Sequence, residues 1–187
     1  MYEDMKLGDA LIEVKGGIGP KWKQYPVYGA TVDGIAPAKE APGKNAEKYK
    51  PVTPGTVFYN PMRILIGSVA YVDETTPAGV TSPDYVVLRG KVGVIDTLYF
   101  YYWLRSPLGH ECVLSLARGA VRERMLFARL AEAEVDMPDY DVQVKYSALL
   151  RATQKEAELI KATIKSQLDD LAHLPHRIIA TSFAGAV

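Results

Sequence analysis

Residues 141–171 read DVQVKYSALLRATQKEAELIKATIKSQLDDL and contain neither glycine nor proline. Leu150, Thr153, Ala157, Ile160, Ile164, Gln167 with Leu168, and Leu171 recur at alternating steps of three and four, with Lys155, Glu156, Glu158, Lys161, Lys165, Asp169 and Asp170 between them. That spacing predicts one long amphipathic helix. Its apolar seam is narrower than that of a helix facing a protein core, the width a coiled coil uses. Asp139 or Asp141 is placed to cap its start. Leu174-Pro175 predicts its end, because proline disfavours a helical residue before it. The tail HRIIATSFAGAV (176–187) then reads as a short separate helix. At roughly 1.5 Å per residue, thirty-odd residues make a rod of about 45 Å. A seam of Leu150, Ala157, Ile160, Ile164, Leu168 and Leu171 on such a rod asks for a partner helix. Pairing with another chain is expected over folding back on its own domain, which would have to be elongated to cover it.

Upstream of this helix the character is different. Tyr, Val and Thr cluster between glycines and prolines in YPVYGATVDG (25–34), GTVFYN (55–60), ILIGSVAYV (64–72) and DYVVLR (84–89). These are β-type runs bounded by turn residues. DTLYFYYWLRS (96–106) suits a strand by its aromatic richness and a buried helix by its unbroken apolar character. Helix is favoured, since Asp96 can cap it and Pro107 follows its end. ECVLSLA (111–117) and VRERMLFARLAEA (121–133) predict two more helices, and AEVDMP (133–138) a last extended segment. The class is therefore α+β: an irregular β-rich domain over 1–138, then the long coiled-coil-type helix and the short C-terminal helix over 139–187.

The chain has 187 residues and equal numbers of cationic and acidic side chains, 22 each. Counted by segment, residues 1–130 hold 16 Lys and Arg against 13 Asp and Glu, and residues 131–187 hold 6 against 9. A basic domain joined to an acidic helix fits a polyanion partner, since only the contacting part must be positive. No apolar run approaches the length that spans a bilayer. MYEDMKLGDA has neither a basic region nor an apolar core, so no signal peptide is expected. Cys112 is the only cysteine and cannot form an internal disulfide. A cytoplasmic protein is expected.

Catalytic constellations are missing. Cys112 and His110 stand two apart, a spacing that does not bring side chains together on a helix. His110, His173 and His176 form no metal set, because the expected break at Leu174-Pro175 separates the last two from a shared face. KGGIGPKWK (15–23) lacks the Gly-Lys-Ser/Thr ending of a phosphate-binding loop. Its Lys15, Lys21 and Lys23, with Trp22, suit contact with a nucleic-acid backbone or a plain solvated loop. Asn60-Pro61 resembles part of the base-holding loop of adenine methyltransferases. No cofactor-binding βαβ unit precedes it and Met62-Arg63 replace the rest of the motif, so it predicts a turn. No catalytic residue, metal or cofactor is expected.

The order KLGDALIEVKGG (6–17), YPVYGATVDG, KYKPVTPGTVFYNPMRILIGSVAY (48–71), GVTSPDYVVLR (79–89), ARGAVRERML (117–126), long helix and LPHRIIATSFAGAV (174–187) resembles the specificity subunit of type I restriction–modification systems. The resemblance implies a target-recognition domain that reads part of a split sequence in double-stranded DNA. It also implies a helix acting as a ruler, no chemistry of its own, and partnership with methyltransferase subunits and in some systems a translocating nuclease. Family members usually carry two recognition domains and two helices. This chain has one of each, so the resemblance is to a half-sized form that would work as a homodimer. The expected DNA contacts are Lys15, Lys21, Lys23, Arg63, Lys91, Arg118 and Arg122, with Tyr59 and Asn60 at the turn. Two other readings stay open: a stand-alone DNA-binding regulator dimerised by its coiled coil, and a small hydrolase or lyase using the helix as an oligomerisation arm.

Overall fold

Strands of Val, Phe, Tyr and Leu at Thr56–Tyr59 and Val86–Gly90 sit side by side at the centre of a four-stranded antiparallel sheet in the computed structural model. The structure describes residues 2–39, 43, 45–117 and 124–184. In chain order the elements are β1 (Tyr2–Lys6), α1 (Leu7–Ala10), β2 (Leu11–Glu13), β3 (Tyr28–Thr31), β4 (Gly34–Pro37), β5 (Lys50–Val52), β6 (Thr56–Tyr59), β7 (Val69–Val72), β8 (Gly79–Thr81), β9 (Val86–Gly90), α2 (Thr97–Arg105), α3 (Pro107–Ala117), α4 (Phe127–Leu130), β10 (Glu134–Pro138) and α5 (Tyr140–Ala184). The chain divides into two compact units, Met1–Ser147 and Ala148–Val187, so the first two turns of α5 belong to the first.

The central sheet runs β2-β9-β6-β7, and β1-β10, β3-β4 and β5-β8 form two-stranded sheets. Side chains alternate across a strand. On β6, Val57 and Tyr59 therefore enter the core cluster that holds Phe100, Leu104 and Val113, while Phe58 enters a second cluster with Val52, Val72 and Val87. Burial on both faces explains why GTVFYN shows no polar alternation.

The sheet's register decides where its loops emerge. Glu13 pairs with Leu88, Tyr59 with Val86, and Tyr59 with Val69. The loop after β2, the turn after β6 and the loop into β9 thus share one end of the sheet. The turn after β9, Lys91 to Val94, leaves from the other.

The aromatic run is α2. Asp96 accepts the Tyr99 N–H at 2.8 Å as its cap, and Phe100, Tyr101 and Leu104 are buried. Pro107 opens the next helix, where its missing N–H costs nothing. The helix expected over 121–133 is a correction. Among its described residues only Phe127–Leu130 is helical, and residues 118–123 lie outside the described part. Met125 sends its N–H to the Pro61 carbonyl at 3.0 Å, and the carbonyls of Ala131 and Ala133 accept from Gly8 and Leu7. Tertiary bonds have replaced the helical ladder there. The extended AEVDMP is β10, which pairs with β1 over five residue pairs.

The long helix also corrects its expected end. It runs unbroken through Pro175 for 45 residues, about 67 Å at 1.5 Å per residue, and absorbs the expected short C-terminal helix. Proline costs a helix one hydrogen bond and a clash with the carbonyl four residues back. Leu171, which supplies that carbonyl, is 62% exposed, so water can serve it instead. The seam also continues in phase, with Leu171, Leu174, Ile178 and Thr181 keeping the steps of three and four. Among the described residues no helix is long and apolar enough to cross a membrane.

Candidate nucleic-acid interface

The basic loop after β2 is built on close backbone packing. A Cβ on Gly17 would stand 2.7 Å from the Glu47 carbonyl oxygen and 2.8 Å from Lys48 Cα, so only glycine lets the two segments meet. Ile18 donates its N–H to the Tyr49 carbonyl at 2.8 Å. Lys21 and Lys23 follow on a 3-10 helix, Gly19–Gln24, and both are exposed. Trp22 between them lies against Tyr49, ring centroids 6.3 Å apart, in a small cluster with Ala46 and Val80. Its ring is thus a structural prop of the loop.

Lys15 is exposed and pairs with Glu13 at 3.5 Å. It lines an open groove of about 520 Å3 with Gly17, Gly19, Glu47, Lys48, Lys50 and Pro83. Lys48 and Lys50 were not among the residues expected from sequence. Their only local signal is the KYK of 48–50, and it is the packing of the Gly17 loop against residues 47–48 that brings them beside Lys15. The Lys50 ammonium donates to the Tyr85 carbonyl at 2.7 Å. Partial burial pulls its pKa below the usual lysine value, against the opposing charges of Glu13 and Asp84.

The turn after β6 forms by local bonding. The Asn60 side-chain oxygen accepts the Met62 N–H and its carbonyl accepts the Arg63 N–H, both at 2.9 Å. Arg63 is exposed and its guanidinium bonds to none of the described residues. The segment is an ordinary turn that presents an arginine.

Tyr59 is a correction. It is fully buried in the core and its hydroxyl has no hydrogen-bond partner among the described residues, so it offers nothing to DNA. Burial drives the phenol's pKa far above its usual value, chiefly by desolvation. An orphaned buried hydroxyl is costly, and Tyr59→Phe is expected to raise stability by about 1 kcal/mol, read as a higher urea midpoint.

Lys91 is exposed on the turn after β9, at the sheet end opposite Lys15 and Arg63. Arg118 and Arg122 lie outside the described residues. Arg124, just beyond them, reaches Asp84 at 3.6 Å in the loop leading into β9.

Of the remaining candidates for chemistry among the described residues, His110 engages the Leu65 carbonyl at 3.1 Å, and burial pushes the Cys112 thiol's pKa up, which suppresses the thiolate. The unbroken α5 does place His173 and His176 one turn apart, contrary to expectation. Even so, no group of three metal-ligating side chains exists among the described residues. Along α5, no described residue beyond Ser147 is buried, and Leu150, Ile160, Ile164, Leu168 and Leu171 are 43–62% exposed.

No protein-family model and no curated protein sequence matches the chain. Solved structures do. A chain from the structure describing complex assembly and conformational transition of the type I R-M system matches at a TM-score of 0.62 and 17% identity, over 100% of this chain and 46% of that one. The HsdS subunit from Thermoanaerobacter tengcongensis matches at 0.57 and 14% identity, over 85% of this chain and 43% of its own. The type I restriction-modification system S subunit from M. genitalium matches at 0.57 and 14% identity, over 88% and 42%. The chain spans less than half the length of each. In fold, then, it is a half-length counterpart of the type I restriction–modification specificity subunits.

Proposed function

We propose that this chain is the DNA sequence-recognition subunit of a type I-like restriction–modification complex, without catalytic activity of its own. Two copies pair through the α5 seam and rebuild the two-domain reader of a full-length subunit. Two-fold symmetry then dictates a target of two inverted half-sites separated by a spacer. Lysines of the loop after β2 contact phosphates and fix register, while loop side chains such as Arg63 read base edges, for which the arginine fork is well suited. The assembled dimer positions methyltransferase subunits on the site.

The single observation that carries this reading is the fold match over the whole chain to one half of proteins about twice as long. The exposed seam of α5 supports the pairing independently. Methylome sequencing of cells carrying the chain and its methyltransferase subunit tests the reading. A modified motif of two inverted half-sites around an unspecified spacer is expected. A continuous asymmetric motif would overturn the homodimeric reader. Full site-specific binding with no methyltransferase, and no methylation with it, would favour the stand-alone regulator.

A further inference from the structure

Cations distant in sequence converge at one end of the central sheet. Lys15 follows β2, Arg63 follows β6, Lys50 opens β5, and Arg124 is tied to Asp84 in the loop entering β9. Since β2 and β6 flank β9, the first two loops start roughly 10 Å apart. Lys91 sits at the far end.

Within this end, Lys15, Lys48 and Lys50 share the walls of the open groove, with Glu47 the one acidic residue among its described lining. Glu13, the partner of Lys15, keeps its side chain mostly buried beneath it, 17% exposed. Asp84 is engaged by Arg124. The groove is also rigid where it matters. Gly17 and the Ile18–Tyr49 bond clamp its two backbone walls, and the Lys50 ammonium is held by the Tyr85 carbonyl. A held cation such as Lys50 loses little freedom when it binds an anion.

Its shape selects among polyanions. A single strand is gripped by stacking its bases on exposed aromatic rings. Here Trp22 and Tyr49 are turned onto each other and form part of a packed cluster. An open, cationic groove without a stacking platform fits the sugar–phosphate ridge of a duplex, which is read by charge and hydrogen bonding alone.

We propose that the Lys15–Lys48–Lys50 groove is the seat for the phosphate backbone of duplex DNA, and that the sheet end bearing it, not the Lys91 end, faces the DNA. The inference rests on the DNA-recognition reading and adds the site. Lys15 and Lys48 are exposed, so glutamine at both preserves the fold. Lys50 is left intact for its Tyr85 bond.

The test compares the intact chain, Lys15→Gln/Lys48→Gln and Lys91→Gln, each with its methyltransferase subunit, on a mixed-sequence duplex over a salt series. Each lost phosphate contact flattens the slope of log K against log salt by about 0.9, so the double variant should be about 1.8 shallower. At ~0.1 M salt that corresponds to a loss of up to ~60-fold, uniform across sequences. Lys91→Gln should track the intact chain. If the double variant matches the intact chain at every salt while site-directed methylation persists, the groove proposal falls and the functional reading stands. A loss confined to Lys91→Gln would also overturn it. If the intact complex binds no duplex even at low salt, both fall.

Discussion

Ile160→Glu with Ile164→Glu is expected to leave a folded monomer that directs no methylation. The two side chains are 53% and 51% exposed in the single chain, and no described residue around them is buried. Their replacement therefore removes nothing from the core of the first unit. In a two-fold pair each Ile counts twice. Taking a fully exposed Ile to burial is worth about 1.5–3 kcal/mol; these are about half exposed, so four withdraw about 3–6 kcal/mol from association. At 1.4 kcal/mol per tenfold, the dimer Kd rises by about 100- to 10,000-fold before the cost of facing carboxylates is added. Sedimentation equilibrium reads the first consequence and methylome sequencing the second. A variant that stays dimeric would show that copies of the chain meet through another surface. A monomer that still methylates a split motif would remove the need for two readers.

The parts of the fold legible in the sequence are those decided by neighbours in the chain. Asp96 caps α2 through a bond to Tyr99, three residues on, and Asn60 closes its turn on Met62 and Arg63. The seam is legible for the same reason, since helical periodicity is local. What failed was decided at a distance. The expected helix around Met125 gave way to a bond with Pro61, and β1 exists because β10, more than a hundred residues later, pairs with it. Pro175 does not stop α5, because its penalty is real but bounded and an exposed carbonyl limits it.

The same division runs through the candidate interface. Composition picks out Lys15, Lys21, Lys23 and Arg63, but a residue type does not say whether it faces out. Trp22 and Tyr59 are amphipathic rings, equally suited to a base or a core, and packing drew both inward. Lys48 and Lys50 join Lys15 only because the Gly17 loop packs against residues 47–48. Lys91 leaves the group because strand order sends its turn to the other end.

Gln143→Leu is expected to destabilise the first unit by about 3–5 kcal/mol, the loss of a small buried network. Gln143 lies in the first turns of α5, is fully buried, and has every bond within that unit. Its side-chain oxygen accepts the Asp96 N–H at 2.9 Å, and its amide donates to the Pro138 carbonyl at 2.8 Å and the Val94 carbonyl at 3.2 Å. One side chain thereby joins the cap of α2, the turn after β9 and the exit of β10 to the root of α5. Leucine fills the volume and leaves one buried donor and two acceptors unserved, each costing about 1–3 kcal/mol where no water replaces the bond. For a domain of this size the melting temperature should fall by about 10 °C. Lys145→Ala, on an exposed neighbour, should stay within about 0.5 kcal/mol. Gln143→Glu separates hydrogen bonding from volume. Facing two carbonyls in a buried site, its carboxyl is expected to titrate above the ordinary glutamate value of about 4.3. The protonated acid can still donate one bond, so its stability is retained below that value and lost as pH rises through the elevated folded pKa. Thermal unfolding at acid and neutral pH should therefore show Gln143→Glu close to the unaltered chain when acidic and close to Gln143→Leu when neutral. Equal melting of all three proteins at neutral pH would mean that the network does not hold α5 to its domain.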